Sequence, residues 1–150
     1  MGSYVSSHLD PGESIVHEAR IHWVVYLGPV IALGIGIIFA VPGAVPNMSF
    51  GGLVITGIGL VGLLASWIRQ VTSEFAVTNK RVIVKTGLLS QRTIELNMSK
   101  VESIQVDQDV LGRILNYGTI TVIGTGGTKE PFTMIDDPLS FRHAVQQLQG

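Results

Sequence analysis

The chain has 150 residues, 46% of them hydrophobic, a net charge of −1 and no cysteine. That length fits one small domain besides any membrane segment. The near-neutral balance excludes the basic footprint of a nucleic-acid binder, and the missing cysteine excludes disulfides and thiolate metal sites.

Charge is spread very unevenly. The N-terminal residues 1–22 carry Asp10, Glu13, Glu18 and Arg20, and then 47 residues between Ile21 and Arg69 hold no Asp, Glu, Lys or Arg. That silent stretch contains two apolar runs, residues 23–41 and 50–68, separated by the turn-forming segment PGAVPNMS at 42–49. Nineteen residues of helix reach about 28 Å, close to the hydrocarbon thickness of a bilayer. Neither run carries the polar stripe that a helix facing water needs. The expectation is a transmembrane hairpin over residues 23–68. A cleaved signal peptide fits poorly, because the preceding segment is acidic rather than basic and the apolar core is too long. Arg20, Arg69, Lys80, Arg81 and Lys85 flank the spans while the connecting turn has no cation. The positive-inside rule then places both termini in the cytoplasm of a multi-pass protein of the cell membrane. Trp23, Tyr26 and Trp67 fall near the inner ends of the spans, where amphipathic rings prefer the interface.

Small residues recur in both spans: Gly28, Ala32, Gly36 and Ala40 in the first, Thr56, Gly59, Gly62 and Ser66 in the second. Such stripes let backbones approach closely, which drives helix association in lipid. They are candidate packing faces, either between the two spans or toward a second copy or another membrane protein. Pro29 lies within the first turns, where its missing N–H costs little. Gly57-Ile-Gly-Leu-Val-Gly62 matches a dinucleotide-binding pattern, but no strand precedes it, so helix packing is the reading. No ionisable residue lies within a span, so proton relay and ion coupling have no visible machinery.

After Arg69 the periodicity changes from helical to alternating. Residues 73–78 and 81–86 flank the turn Asn79-Lys80 as a β-hairpin, a further turn follows at 87–91, and strands are expected at 93–97, 101–107, 118–124 and 130–135. Residues 109–116 are too short for a main helix, though their Val110, Leu111, Ile114 and Leu115 could plug one end of a sheet. The glycine-rich 124–129 reads as a turn, not a phosphate cradle. Asp137 and Pro138 open a final helix with Leu139, Phe141, Ala144, Val145 and Leu148 as its apolar stripe.

Three stretches, FAVTNKRVIVKTGLL at 75–89, SKVESIQV at 99–106 and LGRILNYGTITV at 111–122, together resemble the bacterial membrane-associated pleckstrin-homology-like (PH-like) domain family. The resemblance covers residue 73 to about residue 149. It implies an α+β protein: a transmembrane helical hairpin plus a seven-stranded, partly open β-barrel capped by a C-terminal helix. Only six strands follow Arg69, so residues 14–21 are the candidate for the first, which makes the hairpin an insertion after strand one. The expected organisation is an N-terminal cytoplasmic segment at 1–22, the hairpin at 23–68 and a cytoplasmic PH-like domain at 73–150. The family's biochemical role is poorly defined and sometimes associated with envelope stress.

Nothing in the sequence assembles chemistry. His8, His17, His22 and His143 share no metal-ligand spacing, and His22 and His143 read as polar surface residues. Asp107/Asp109 and Asp136/Asp137 flank helix starts, where capping accounts for them. Asn47-Met-Ser49 and Asn97-Met-Ser99 match a glycosylation pattern that arises often by chance. No catalytic residue, metal or cofactor is expected. Lys80, Arg81, Lys85 and Arg92 are four cations over 13 residues with no intervening acid. They are candidate contacts for headgroups or a partner, worth about 1 kcal/mol each on an anionic surface. Against that stands a solvated face with Glu95 as a cross-strand partner. The sequence thus points to a non-enzymatic membrane protein displaying a PH-like scaffold on the cytoplasmic face, with the bilayer and a membrane protein or second copy as partners. The alternatives are a lipid-headgroup sensor and an accessory subunit of a transport or stress-response assembly.

Overall fold

The computed structural model describes residues 3–42, 45–87 and 92–150, so residues 88–91 of the turn expected at 87–91 and the middle of that at 42–49 lie outside the described residues. The chain divides into two units, one combining Met1–His22 with Val71–Gly150, the other Trp23–Gln70. In chain order the elements are α1 (Ser3–Ser7), β1 (Ile15–Ala19), α2 (Leu27–Ala40), α3 (Ser49–Thr72), β2 (Glu74–Thr78), β3 (Arg81–Thr86), β4 (Arg92–Asn97), β5 (Val101–Asp107), α4 (Val110–Leu115), β6 (Tyr117–Gly124), β7 (Lys129–Asp136) and α5 (Pro138–Gln149).

In the first unit, seven antiparallel strands form two sheets, ordered β1-β2-β3-β4 and β5-β6-β7. The arrangement is consistent with a PH-like fold. The N-terminal segment supplies the seventh strand: β1 pairs with β2, Ala19 opposite Phe75. An isolated bridge, Ile21 to Ile135, links the first sheet's edge to β7. Turns follow local chemistry. Gly126 (φ 108°) and Gly127 (φ 79°) occupy left-handed positions between β6 and β7, where a side chain would be strained.

Alternation holds in β6, whose Ile120 and Val122 point into the core. It fails in β2 and β3, where Phe75, Ala76, Val77, Val82, Ile83 and Val84 are all buried. Both faces of this pair are therefore covered. The second cover is α1, whose Val5 packs with Ala76 and Ile83, flanked by Leu9 and Ile15. Burying such a side chain stabilises by roughly 1.5–3 kcal/mol. Five residues show no periodicity, so this helix is not visible in the sequence.

α5 lies against strands of both sheets, β1 and β2 of the first and β5 and β6 of the second. Asp137 caps it through the Ser140 amide at 3.4 Å, Pro138 follows at the first turn, and Phe141, Ala144 and Val145 are buried. Hydrogen bonds from Ser140 lower the Asp137 pKa, against the opposing effect of burial. Leu139 corrects the expected stripe: it is exposed, because two positions before Phe141 is the opposite side of a helix. α4 is a second correction. It does not plug a sheet, since Val110, Leu111 and Ile114 are 76%, 60% and 72% exposed.

The second unit is a helical hairpin: a 3-10 turn over Trp23–Tyr26 leading into α2, then α3. Both helices are long and apolar enough to cross a membrane. They meet along small residues. A Cβ added at Gly36 would collide with Thr56, one at Gly52 with Ala40, one at Gly59 would lie 2.8 Å from the Leu33 nitrogen, and one at Gly62 would lie 3.1 Å from the Pro29 ring. The Ser66 hydroxyl donates to the Val25 carbonyl at 3.2 Å, and Tyr26 to the Gln70 side chain at 2.6 Å. Gly36, Ala40, Thr56, Gly59, Gly62 and Ser66 thus share one contact. Ala32 is half-buried, and Gly28 faces open space. A strict spacing of four drifts about 40° per step around a helix of 3.6 residues per turn, so the face of α2 alternates threes and fours: Pro29, Leu33, Gly36, Ala40.

Enlarging Gly59 to Val should separate the helices and cost about 1–3 kcal/mol, whereas Gly28→Val should leave the hairpin unweakened. SDS-titrated unfolding of the full chain in mixed micelles reads the difference; equal effects at both positions would contradict this packing.

Candidate functional site

The four-cation cluster sits on β3 and the start of β4. Arg81 opens β3 beside the hairpin tip, and its guanidinium is not available as a surface charge. Its Nε and Nη2 donate to Glu13 at 3.0 and 2.9 Å, Nη1 donates to Glu95 at 2.8 Å, and Nη2 also reaches the His8 carbonyl at 3.0 Å. The Glu13 side chain is 0% exposed and that of Arg81 16%. Glu13 further accepts from the Thr78 hydroxyl at 2.6 Å and the Asp10 amide at 2.9 Å. Burial alone would raise the Glu13 carboxyl, but the Asp10 amide, the Thr78 hydroxyl and the Arg81 guanidinium outweigh it and lower its pKa from the ordinary 4.5 to about 2. The hydrogen bond to Glu13 in turn pushes the Arg81 pKa up, against its own desolvation.

This pair binds the N-terminal segment to the tip of the β2–β3 hairpin. Asn79 accepts from the Ser14 amide at 3.0 Å and donates to the Gly12 carbonyl at 3.1 Å, while the Lys80 ammonium reaches the Pro11 carbonyl at 3.1 Å. Two of the candidate contact cations, Lys80 and Arg81, therefore hold the fold's own backbone or carboxylates. Arg92 donates to both oxygens of Glu130 at 3.0 Å, an exposed pair of small energetic weight. The register separates the four: Lys85 pairs with Thr93 and Arg92 with Thr86, near the start of β2, whereas Lys80 and Arg81 lie at the opposite end of that strand. They do not form one patch.

The start of β2 belongs to the end of the module from which the chain leaves at His22 and to which it returns at Ser73, here termed the junction end. The His22 amide donates to the Met134 carbonyl at 2.7 Å and that of Asp136 to the Arg20 carbonyl at 2.9 Å. His22 is not a surface residue as expected: it is buried, 5.5 Å from the Tyr117 ring and 3.8 Å from the Asp136 carboxylate. His143 is exposed.

α4 belongs to the same end, since it joins the last residue of β5 to Tyr117. It is firmly held. Asp109 caps it through the Gly112 amide at 2.6 Å, Gln108 donates to the Tyr117 carbonyl at 2.9 Å, and Asn116 ends it in the left-handed region (φ 61°). Any side chain at Gly112 would press within 2.6 Å of the Tyr117 carbonyl, and one at Gly118 within 2.8 Å of the Asp107 carbonyl. The glycines of LGRILNYG are therefore required by this tight corner. Burial, reinforced by the Asp109 charge, pushes the Tyr117 pKa up. An open cleft of about 460 Å³ beside α4 is lined by Asp107, Asp109, Tyr117, Thr133 and Met134. Asp109 is committed to its cap, and among the described residues that line the cleft there is no His, Cys, Ser or Lys. Among the described residues no group of three or more His, Cys, Asp or Glu is placed to hold a metal.

A family model described as Bacterial PH domain matches residues 24–149, a stretch that includes both apolar helices. No curated protein and no solved structure gives a match.

Glu13→Gln should destabilise the β2–β3 hairpin by roughly 2–3 kcal/mol, because it leaves Arg81 partly uncompensated in a buried place. The depressed Glu13 pKa also fixes a pH dependence. Its contribution is complete above 4.5 and is lost as pH falls toward about 2, where the folded carboxylate protonates. Hydrogen exchange of the β2 and β3 amides, corrected for intrinsic rates, should show this loss in the native chain and a shallower slope in E13Q.

Proposed function

The chain belongs to the bacterial PH domain family, and from that premise we propose that it is an integral membrane protein holding a PH-like module at the inner membrane surface as a non-enzymatic scaffold. The observation that carries this reading is the outer surface of the α2–α3 hairpin. Phe50 is 79% exposed, Val61 68%, and Leu53, Ile58 and Ile38 62% each, with no charge among them. An apolar surface of that extent belongs in lipid rather than in water. The tethers are short: Trp23 follows the buried His22 directly, and one residue, Ser73, separates α3 from β2. A module so attached stays at the membrane surface. Arg20 and Arg69 beside the spans support a cytoplasmic location for both termini. The Ile21–Ile135 bridge and the α5 cap support reading the two sheets as one partly open barrel.

Within the family's range of roles, the geometry favours protein binding over headgroup sensing through the cation cluster. Arg81 is engaged by Glu13 and Glu95, Arg92 by Glu130, and the cluster is divided between two ends of the hairpin. The partner is then a membrane protein or a second copy, for which the outward faces of the spans and the exposed strands are available.

Alkaline carbonate should leave the full chain in the membrane pellet, and release into the supernatant would overturn the integral reading. Affinity purification from solubilised membranes should retrieve a stoichiometric protein partner or a second copy. A chain recovered as a monomer with anionic lipid, retained only while Lys80 and Lys85 are intact, would favour the sensor instead.

A further inference from the structure

We propose that α4 is a membrane wedge: Val110, Leu111 and Ile114 insert into the headgroup–acyl boundary of the bilayer beside the point where the chain enters its first span. The inference rests on the membrane reading above and adds a second, non-spanning contact to it.

The first observation is a contradiction between effort and burial. Two glycines that tolerate no side chain, an Asp109 cap, a Gln108 brace and a left-handed Asn116 all fix this six-residue helix in place. Yet its large apolar side chains face outward, while Gly112 faces inward. Positions 110, 111 and 114 share one side of a helix, and Arg113 flanks them, also exposed. A rigid apolar arc beside a cation is the composition of an element lying in a membrane interface. The charges on this corner are mixed: Asp107 and Asp109 line the cleft beside α4, the Asp136 amide bonds the Arg20 carbonyl, and Arg113 is exposed on α4 itself. The contact is therefore driven by the apolar arc rather than by attraction to anionic lipid.

The second observation selects lipid as the occupant. Tyr117 lies two residues beyond α4, at most about 7 Å along the chain, and its ring is 5.5 Å from that of His22. Trp23, the next residue, is exposed and begins the first apolar helix. A tryptophan at the start of a span marks the headgroup level. α4 is therefore carried on the very corner of the module that the chain ties to that level. Among the described residues, the far end of β6, with its exposed turn at Thr125, carries no comparable apolar group. Interfacial insertion would bring the three side chains roughly 5–10 Å below the headgroup surface.

The absence of cysteine permits single-site labelling of the full chain. Leu111→Cys, Thr125→Cys and Ile58→Cys would each carry an environment-sensitive fluorophore in vesicles of neutral phosphatidylcholine at low protein-to-lipid ratio. Expected for Leu111 are a shift to shorter wavelength relative to Thr125, protection from aqueous iodide, and quenching by lipids brominated at a shallow acyl position. The Ile58 probe tests the spans themselves. A buried Ile58 probe with an iodide-accessible Leu111 probe would overturn the wedge and leave the membrane reading intact. Exposure of both would sink the two together. Protection of Leu111 from iodide without bromolipid quenching would place protein on α4 and likewise overturn the proposal. As a label-free check, V110S/L111S/I114S should increase amide exchange or protease access at residues 107–118 in vesicles while leaving detergent-solubilised stability unchanged. An unchanged pattern in vesicles would count against insertion.

Discussion

The pairing of Ala19 with Phe75 is the constraint on which the rest of the architecture turns. Everything between these positions, including 47 residues without a charge, must leave and return within one strand spacing of about 5 Å. Two antiparallel helices meet that requirement; one helix does not. With lipid as the solvent of the hairpin, as proposed, the same pairing forces an even number of crossings, because β1 and β2 cannot hydrogen-bond from opposite sides of a bilayer. On that proposal the β-ladder requires both ends of the hairpin to lie on one side, and only the flanking arginines bear on which side it is.

A module interrupted so early in its sheet needs its first strand secured independently of the long insertion. The interactions around Glu13 supply this. A buried carboxylate accepting from Thr78, Arg81 and the Asp10 amide joins the N-terminal segment to the β2–β3 hairpin. α1 adds an apolar cover on the same pair of strands through Val5. The buried pair costs desolvation and is a weak argument for stability by itself. Its value here is in register: it fixes which stretch of the N-terminus lies beside β2. Arg81 is thereby committed to the fold, while the strand register carries Lys85 and Arg92 to the other end of the hairpin, so the basic run in sequence is divided in space.

α4 shows the converse. Its residues look like core material by composition, but the corner of β5 and β6 orients them outward, and tight glycine contacts at 112 and 118 fix that orientation. In a freely diffusing domain such a display would be a liability for aggregation. In a module held at a bilayer, as proposed, the same display has a use.

The amino-acid sequence by itself determined the apolar hairpin, the six strands after Arg69, the turns at Asn79-Lys80 and at Gly126-Gly127, and the capped C-terminal helix. Those features are local: they follow from run length, a period of two, and residues that favour particular φ values or donate their side chains to a helix end. Only the tertiary structure decided what lay across long separations. Glu13 and Arg81 are 68 positions apart and no spacing rule connects them. Val5 on the outer face of β2 and β3 and His22 against Tyr117 have the same origin. Periodicity tells which side chains share a face. It does not tell what covers that face, because the covering group comes from a distant part of the chain and is selected by packing and by the need to compensate every buried charge.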